Sequence, residues 1–213
     1  MYFQYGDKEI EYLRSKDKKL AEVIDKVGHI DRTVDTDLFS SVVHHIIGQQ
    51  ISTKAQQTIW LRMNEKYGHV TPEVIDSADA AELQSLGMTF RKAEYIKNFS
   101  HKVVSGEFSL DAVWHMSDEE AVEALSSLKG VGVWTAEMIL LFCMQRSDIL
   151  SFGDLAIQRG MRMVYHHRKI DKKLFDKYRR RLSPYGSTAS LYFWAVSGGA
   201  VEGMKDYAPK NKR

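Results

Sequence analysis

The chain has a single cysteine, Cys143, in 213 residues. One thiol cannot close an internal disulfide, build a zinc cage of several thiolates or hold an iron–sulfur cluster that needs four. Proline is almost as scarce, with only Pro72, Pro184 and Pro209, so long stretches lack the residue that most strongly breaks helices. No run approaches the roughly 18–20 uninterrupted apolar residues of a membrane-spanning helix. The segment MYFQYGDKEIEYLRSKDKK lacks the basic, apolar, small-residue order of a secretory signal. These absences lead us to expect a cytoplasmic protein with no membrane partner and no tightly bound metal cluster. A strong charge imbalance is missing too: 30 Lys and Arg stand against 28 Asp and Glu, a net charge of +2. Composition alone therefore does not call for a polyanionic partner.

What is present is ordinary in amount and uneven in distribution. The chain is 44% hydrophobic and 27% charged, and its length suits one substantial domain or two small lobes. Between Leu155 and Arg181 ten basic residues (Arg159, Arg162, Arg168, Lys169, Lys172, Lys173, Lys177, Arg179, Arg180, Arg181) face two acids, Asp171 and Asp176. A local excess of this kind is either a solvated basic helix or a footprint for phosphates.

Periodicity favours helices nearly throughout. Leu38, Val42, Val43, Ile46 and Ile47 mark one amphipathic helix that stops at Gly48, and Ser52 is placed to cap the next, which carries Ala55, Ile59, Trp60 and Met63. Thr71-Pro72-Glu73 reads as a cap followed by proline at the first helical position. Ser117-Asp118-Glu119-Glu120 matches a capping box that opens a helix through Val122 and Leu125. No alternating run is long enough for a strand. The fold class expected is all-α.

The most informative stretch is Leu128-Lys129-Gly130-Val131-Gly132-Val133-Trp134-Thr135-Ala136. A helix ends, two glycines separated by one apolar residue turn the chain, and a second helix follows through Met138, Leu141 and Phe142. Glycine permits positive φ and leaves the backbone bare, so amide groups at the start of the second helix can approach a phosphate oxygen. Val131 is expected to tuck inward. Many helix pairs turn through glycine with no ligand, so this turn alone does not decide the matter. Asp154 lies 22 residues after Gly132 and opens another apolar-periodic segment with Leu155, Ile157 and Met161. It reads either as a simple N-cap or as an ionised carboxylate held by a helix terminus for chemistry.

The ordered set LKGVGVWTAEMILL, SFGDLAIQRG, FSSVVHHIIGQQIS, LGMTFRKAEYIKNFS and SPYGSTASLYFWAV resembles the helix-hairpin-helix DNA glycosylase superfamily. Within it, the alkylbase branch of the 3-methyladenine DNA glycosylase II type is the nearest likeness. The resemblance covers roughly residues 35 to 200. It implies a single domain over residues 1–213 made of two helical lobes, roughly 35–145 and 1–34 plus 146–213, with an active-site cleft between them. The family's familiar members carry a further β-rich N-terminal domain, so the likeness is to a minimal version.

The same resemblance assigns roles. Asp154 is implied to be the catalytic carboxylate. Breaking an N-glycosidic bond builds positive charge on the deoxyribose, and a fixed carboxylate stabilises that charge and orients the attacking water. Asp148 is the nearby competitor, on the wrong side of the connection. Trp134 stands where strand-nicking relatives carry a lysine that forms a Schiff base, which implies a monofunctional enzyme with water as nucleophile and an intact abasic site as product. Trp134, Trp194 and Met138 are implied to line the base pocket, where indole faces suit a cationic methylated purine. Gln50 matches the residue that fills the gap left by a flipped base. Lys129, Gly130 and Gly132 are implied to grip DNA phosphates. No cofactor is required, although relatives bind Na⁺ or K⁺ through hairpin carbonyls, which here fall at Ser126, Leu128 and Val131. The paired histidines His44–His45 and His166–His167 are read as structural, and Tyr192 and Phe193 as core.

The function expected is excision of alkylated bases from double-stranded DNA by a monomer, nucleoid-associated if the source is prokaryotic. Two other readings stay open at this point: the same fold acting on hypoxanthine, uracil or an oxidised purine, and a non-catalytic helix-hairpin-helix module that only binds DNA.

Overall fold

The computed structural model describes residues 1–209. Among these residues are thirteen α-helices: α1 (Asp7–Lys16), α2 (Lys18–Val27), α3 (Leu38–Gly48), α4 (Thr53–Tyr67), α5 (Pro72–Ser77), α6 (Ala80–Ser85), α7 (Phe90–Val104), α8 (Leu110–His115), α9 (Asp118–Ser126), α10 (Val133–Phe142), α11 (Leu155–Tyr165), α12 (Lys172–Leu182) and α13 (Gly186–Ser197). The β contact among the described residues is an isolated antiparallel bridge between Tyr2 and Thr33. No helix among them is long and apolar enough to cross a membrane.

Local chemistry sets many of the boundaries. The Ser52 hydroxyl accepts from the Ala55 amide at 3.2 Å, and Thr71 does the same for Val74 with Pro72 in the first turn. Ser117 and Glu120 form the reciprocal capping box, Glu120 reaching back to the Ser117 amide at 2.9 Å. Such caps satisfy amides that have no partner inside the helix, each contributing about 1 kcal/mol.

The helices fall into two compact units. The first comprises Asp35–Met144, together with Met1. Its core is supplied by α3, α4, α7 and α10, with Phe39 stacked on Phe99 at 5.1 Å. Helix α10 is apolar almost all round and mostly buried, as expected of a helix enclosed by its neighbours. Cys143 lies at its end, buried, and burial pushes its thiol up to about 12.

The second unit joins Tyr2–Val34 to the chain from Gln145 onward. Helices α11 and α13 pack tightly, because Gly160 lets the Phe193 carbonyl lie where any Cβ would sit. Helices α1 and α2 are tied on by polar contacts. The Tyr12 hydroxyl donates to the Ser183 carbonyl at 2.5 Å, and that of Tyr192 donates to the Gly28 carbonyl at 3.0 Å. Buried Asp17 caps α2 through one oxygen, while the other accepts from the Tyr165 hydroxyl at 3.1 Å and the Arg181 guanidinium at 2.8 Å. Tyr192 and Phe193 are core residues.

Candidate active site and nucleic-acid interface

In the second unit Asp154 is the N-cap of α11 and is only 6% exposed. One oxygen, Oδ1, accepts from the amides of Ala156 at 2.9 Å and Ile157 at 2.8 Å, and also from the Trp194 indole Nε1 at 3.2 Å. The helix terminus and the indole hold the carboxylate still. Trp194 is half-buried and reaches Asp154 from α13 across forty residues of sequence. The next residue, Leu155, is 79% exposed, an apolar side chain left in solvent beside the carboxylate.

Asp148 has a different occupation. Its two oxygens accept from the Gly186 amide at 3.0 Å and the Ser183 hydroxyl at 2.6 Å, so it secures the start of α13.

The first unit carries the hairpin. Gly130 has φ +85°, and a Cβ there would overlap the ring of Tyr95. Val131 is buried at 5% exposure, as its apolar character led us to expect, and its amide donates to the Leu128 carbonyl at 3.0 Å. Gly132 is the N-cap of α10 with φ −95°, and a Cβ there would meet no atom within 4 Å. Gly132 is exposed, as are Val133 and Trp134 in the first turn of α10. Lys129 is exposed, and Trp134 is 46% exposed on the first turn of α10. Met138, one turn further, is buried at 3% exposure. The Ser126 hydroxyl is buried without a hydrogen-bond partner among the described residues.

The turn after α3 lies in the same unit. Gln50 is exposed and left-handed, with φ 56°, and Ile51 beside it is 38% exposed. The Gln49 side chain donates to the Gly130 carbonyl at 2.6 Å, which ties this turn to the hairpin. The Lys92 ammonium donates to the carbonyls of Ile47 at 2.8 Å and Gln49 at 2.6 Å, and burial together with Arg91 lowers its pKa. Sequence reading missed both Gln49 and Lys92, although the cation-rich pair Arg91-Lys92 at the start of a helix was visible.

The histidine pairs have structural partners. His45 hydrogen-bonds the Ser41 carbonyl at 2.8 Å, and burial lowers its pKa; His44 pairs with Asp35 at 3.7 Å. His167 meets the Tyr178 hydroxyl at 2.8 Å, and His166 ends α11 in a left-handed conformation. The basic run divides. Arg162 forms a two-pronged pair with Asp206 (2.7 and 2.6 Å), Arg181 serves Asp17 and Lys172 pairs with Asp176 at 2.5 Å, whereas Arg168, Lys169, Lys173, Lys177 and Arg180 are exposed.

The profile of the HhH-GPD superfamily of base excision DNA repair proteins matches residues 43–184, a span that holds the turn, the hairpin and Asp154. The chain belongs to this superfamily. A relative from Schizosaccharomyces pombe, named DNA-3-methyladenine glycosylase 1, is 29% identical over 164 residues, covering 75% of this chain and 72% of that protein. The crystal structure of a DNA-3-methyladenine glycosidase from Bacillus halodurans superposes with TM-score 0.85 at 30% identity, covering 97% of both chains. The S. pombe 3-methyladenine DNA glycosylase in complex with abasic DNA gives TM-score 0.79 at 25% identity, over 92% of this chain and 99% of that one. The all-α architecture is thus the HhH-GPD glycosylase fold. Trp194 lies outside the matched span, so its hydrogen bond to Asp154 is a feature that the profile does not carry.

Proposed function

We propose that this HhH-GPD protein is a monofunctional DNA glycosylase that removes alkylated bases such as 3-methyladenine from double-stranded DNA and leaves an abasic site. The observation that carries the reading is the buried Asp154 carboxylate, fixed through Oδ1 by two amides and an indole. As the base departs, positive charge grows on the sugar, and a carboxylate already oriented stabilises it without reorganising. Water then adds to the sugar carbon and gives its proton to the Asp154 carboxylate. Trp134, at the place where a lysine would open the Schiff-base route, cannot act as an amine nucleophile, which supports hydrolysis alone.

The names of the relatives support alkylated bases as the substrate class. In the first unit the exposed Trp134 offers a face on which a flipped, cationic base can stack. The amides after Gly132 grip a phosphate, with Lys129 adding a salt-dependent contribution. Gln50 enters the duplex and fills the space of the flipped nucleotide. The carbonyls of Ser126, Leu128 and Val131 would hold a Na⁺ or K⁺ ion, which would supply positive charge for a DNA phosphate.

The test is release of free base from methylated duplex DNA, wild type beside Asp154→Asn, with strands resolved before and after alkali. The expected result is 3-methyladenine release by wild type alone, with breaks only after alkali. Equal release by Asp154→Asn would overturn the mechanism. Breaks without alkali would overturn the monofunctional reading.

A further inference from the structure

Three elements of the first unit meet around the turn that presents Gln50. Helix α3 ends at Gly48 with carbonyls that no further helical amide can reach. Lys92, in the first turn of α7, places its ammonium against two of the carbonyls there, those of Ile47 and Gln49. One helical turn along α7, the Tyr95 ring lies against Gly130, the left-handed residue of the hairpin. The Gln49 side chain closes the triangle by donating to the Gly130 carbonyl. On the far side, the Gln56 amide donates to the His44 carbonyl at 2.8 Å and occupies the space beside Gly48.

The partner types matter. An ammonium at a helix C-terminus answers both the unsatisfied carbonyls and the negative end of the dipole. A part-buried lysine whose charged form is disfavoured by burial is kept where its hydrogen bonds compensate. A residue with φ 56° that is not glycine needs its surroundings to hold it. Gln50 makes that demand at the exposed tip.

We propose that Lys92 and Gln49 are positioning residues that lock the Gln50 turn to the hairpin, so that the element gripping phosphate and the element entering the duplex act as one body. This inference rests on the reading of Gln50 as the inserting residue. Neither Lys92 nor Gln49 is given contact with the reacting atoms. Their contribution is to keep Gln50 in register while the hairpin holds the strand, which lowers the cost of opening the duplex.

The test uses single-turnover excision by the full chain on two substrates. One is an intact duplex with 2-aminopurine next to the lesion, and the other has the lesion opposite an abasic site, where little unstacking remains to be done. Losing a hydrogen bond from a charged donor corresponds to about a tenfold change or more. We expect Lys92→Met to lose that factor on the intact duplex and Gln49→Leu, which loses a neutral donor, a few-fold; both should lose flipping fluorescence and recover most of the rate on the abasic-opposed substrate. Binding to undamaged duplex stays near wild type, and Lys92→Arg restores much of the flipping signal. Gln50→Ala, run alongside, should show the same pattern.

Equal losses on both substrates, or unchanged excision in both variants, would overturn the lock while the Gln50 reading stands. A Gln50→Ala protein that flips and excises like wild type would instead remove the premise, and the lock with it. Gln49→Leu keeps the test decisive should Lys92→Met fail to fold.

Discussion

The Trp194 indole and two backbone amides converge on one oxygen of Asp154, so the carboxylate is held by a helix terminus and by a side chain from a different helix. Trp194→Phe retains the ring and deletes the donor. A hydrogen bond to a charged group contributes about 1.5–3 kcal/mol. Single-turnover excision should therefore fall by about one to two orders of magnitude, with the circular dichroism spectrum unchanged. Wild-type rates in Trp194→Phe would show that the indole N–H does not orient the carboxylate.

The two hairpin glycines should fail in different ways. Gly130 needs both its positive φ and the space filled by Tyr95, whereas a methyl at Gly132 would meet only solvent. Gly130→Ala is expected to lower the melting temperature, by several degrees if the strain is about 1–3 kcal/mol. Gly132→Ala is expected to melt like wild type and yet, under the phosphate grip proposed above, to bind damaged and undamaged duplex more weakly. Fluorescence anisotropy at fixed salt beside thermal melts separates the two.

Asp148→Ala tests the division of labour between neighbouring aspartates. It removes the acceptor for Gly186 and Ser183 and should cost stability by about 1–2 kcal/mol, as for loss of a helix cap. Excision per folded molecule at low temperature should persist. A loss of activity as complete as that of Asp154→Asn, in protein that remains folded, would contradict the structural role.

Acidification below about pH 6.5 should destabilise the fold through its buried histidines. Burial holds His45 below its ordinary 6.5, so just below that pH the unfolded chain binds a proton that the folded chain refuses. Stability then rises with pH through the window under 6.5 and falls as the pH drops. Asp35, held below 3.8 first by the hydrogen bond from His44, adds a second loss as pH falls through its lowered value. Urea melts between about pH 5 and 8 should show the first slope, and His45→Gln should reduce it, leaving the part from His167, which burial also holds below 6.5.

Much of this was legible locally. The stop at Gly48, the Ser52 cap, the Ser117–Glu120 box and the glycine turn depend on residues within one helical turn of each other, and the structure forms each of them. Asp154 could be placed at a helix start for the same reason. The donor from Trp194 could not, since it arrives from forty residues away through the packing of α11 on α13. Gln49 reaches Gly130 across a separation of 81 residues, and no periodicity encodes that pairing. The basic run misled in part: Arg162 and Arg181 count toward its charge, but their partners Asp206 and Asp17 lie outside the run. Met138 was marked by its place in a motif, while its burial reflects a helix apolar on all sides.

The second unit joins two segments, Tyr2–Val34 and the chain from Gln145 onward, that flank Asp35–Met144 in sequence. On the ribosome, helices α1 and α2 emerge early and must wait for α11 to α13 before Tyr12, Asp17 and Gly28 find their partners. A chain interrupted near residue 145 would already contain the hairpin and the Gln50 turn but not Asp154. On the function proposed above, such a fragment, if its first unit folds, would grip DNA but lack the carboxylate that excises bases.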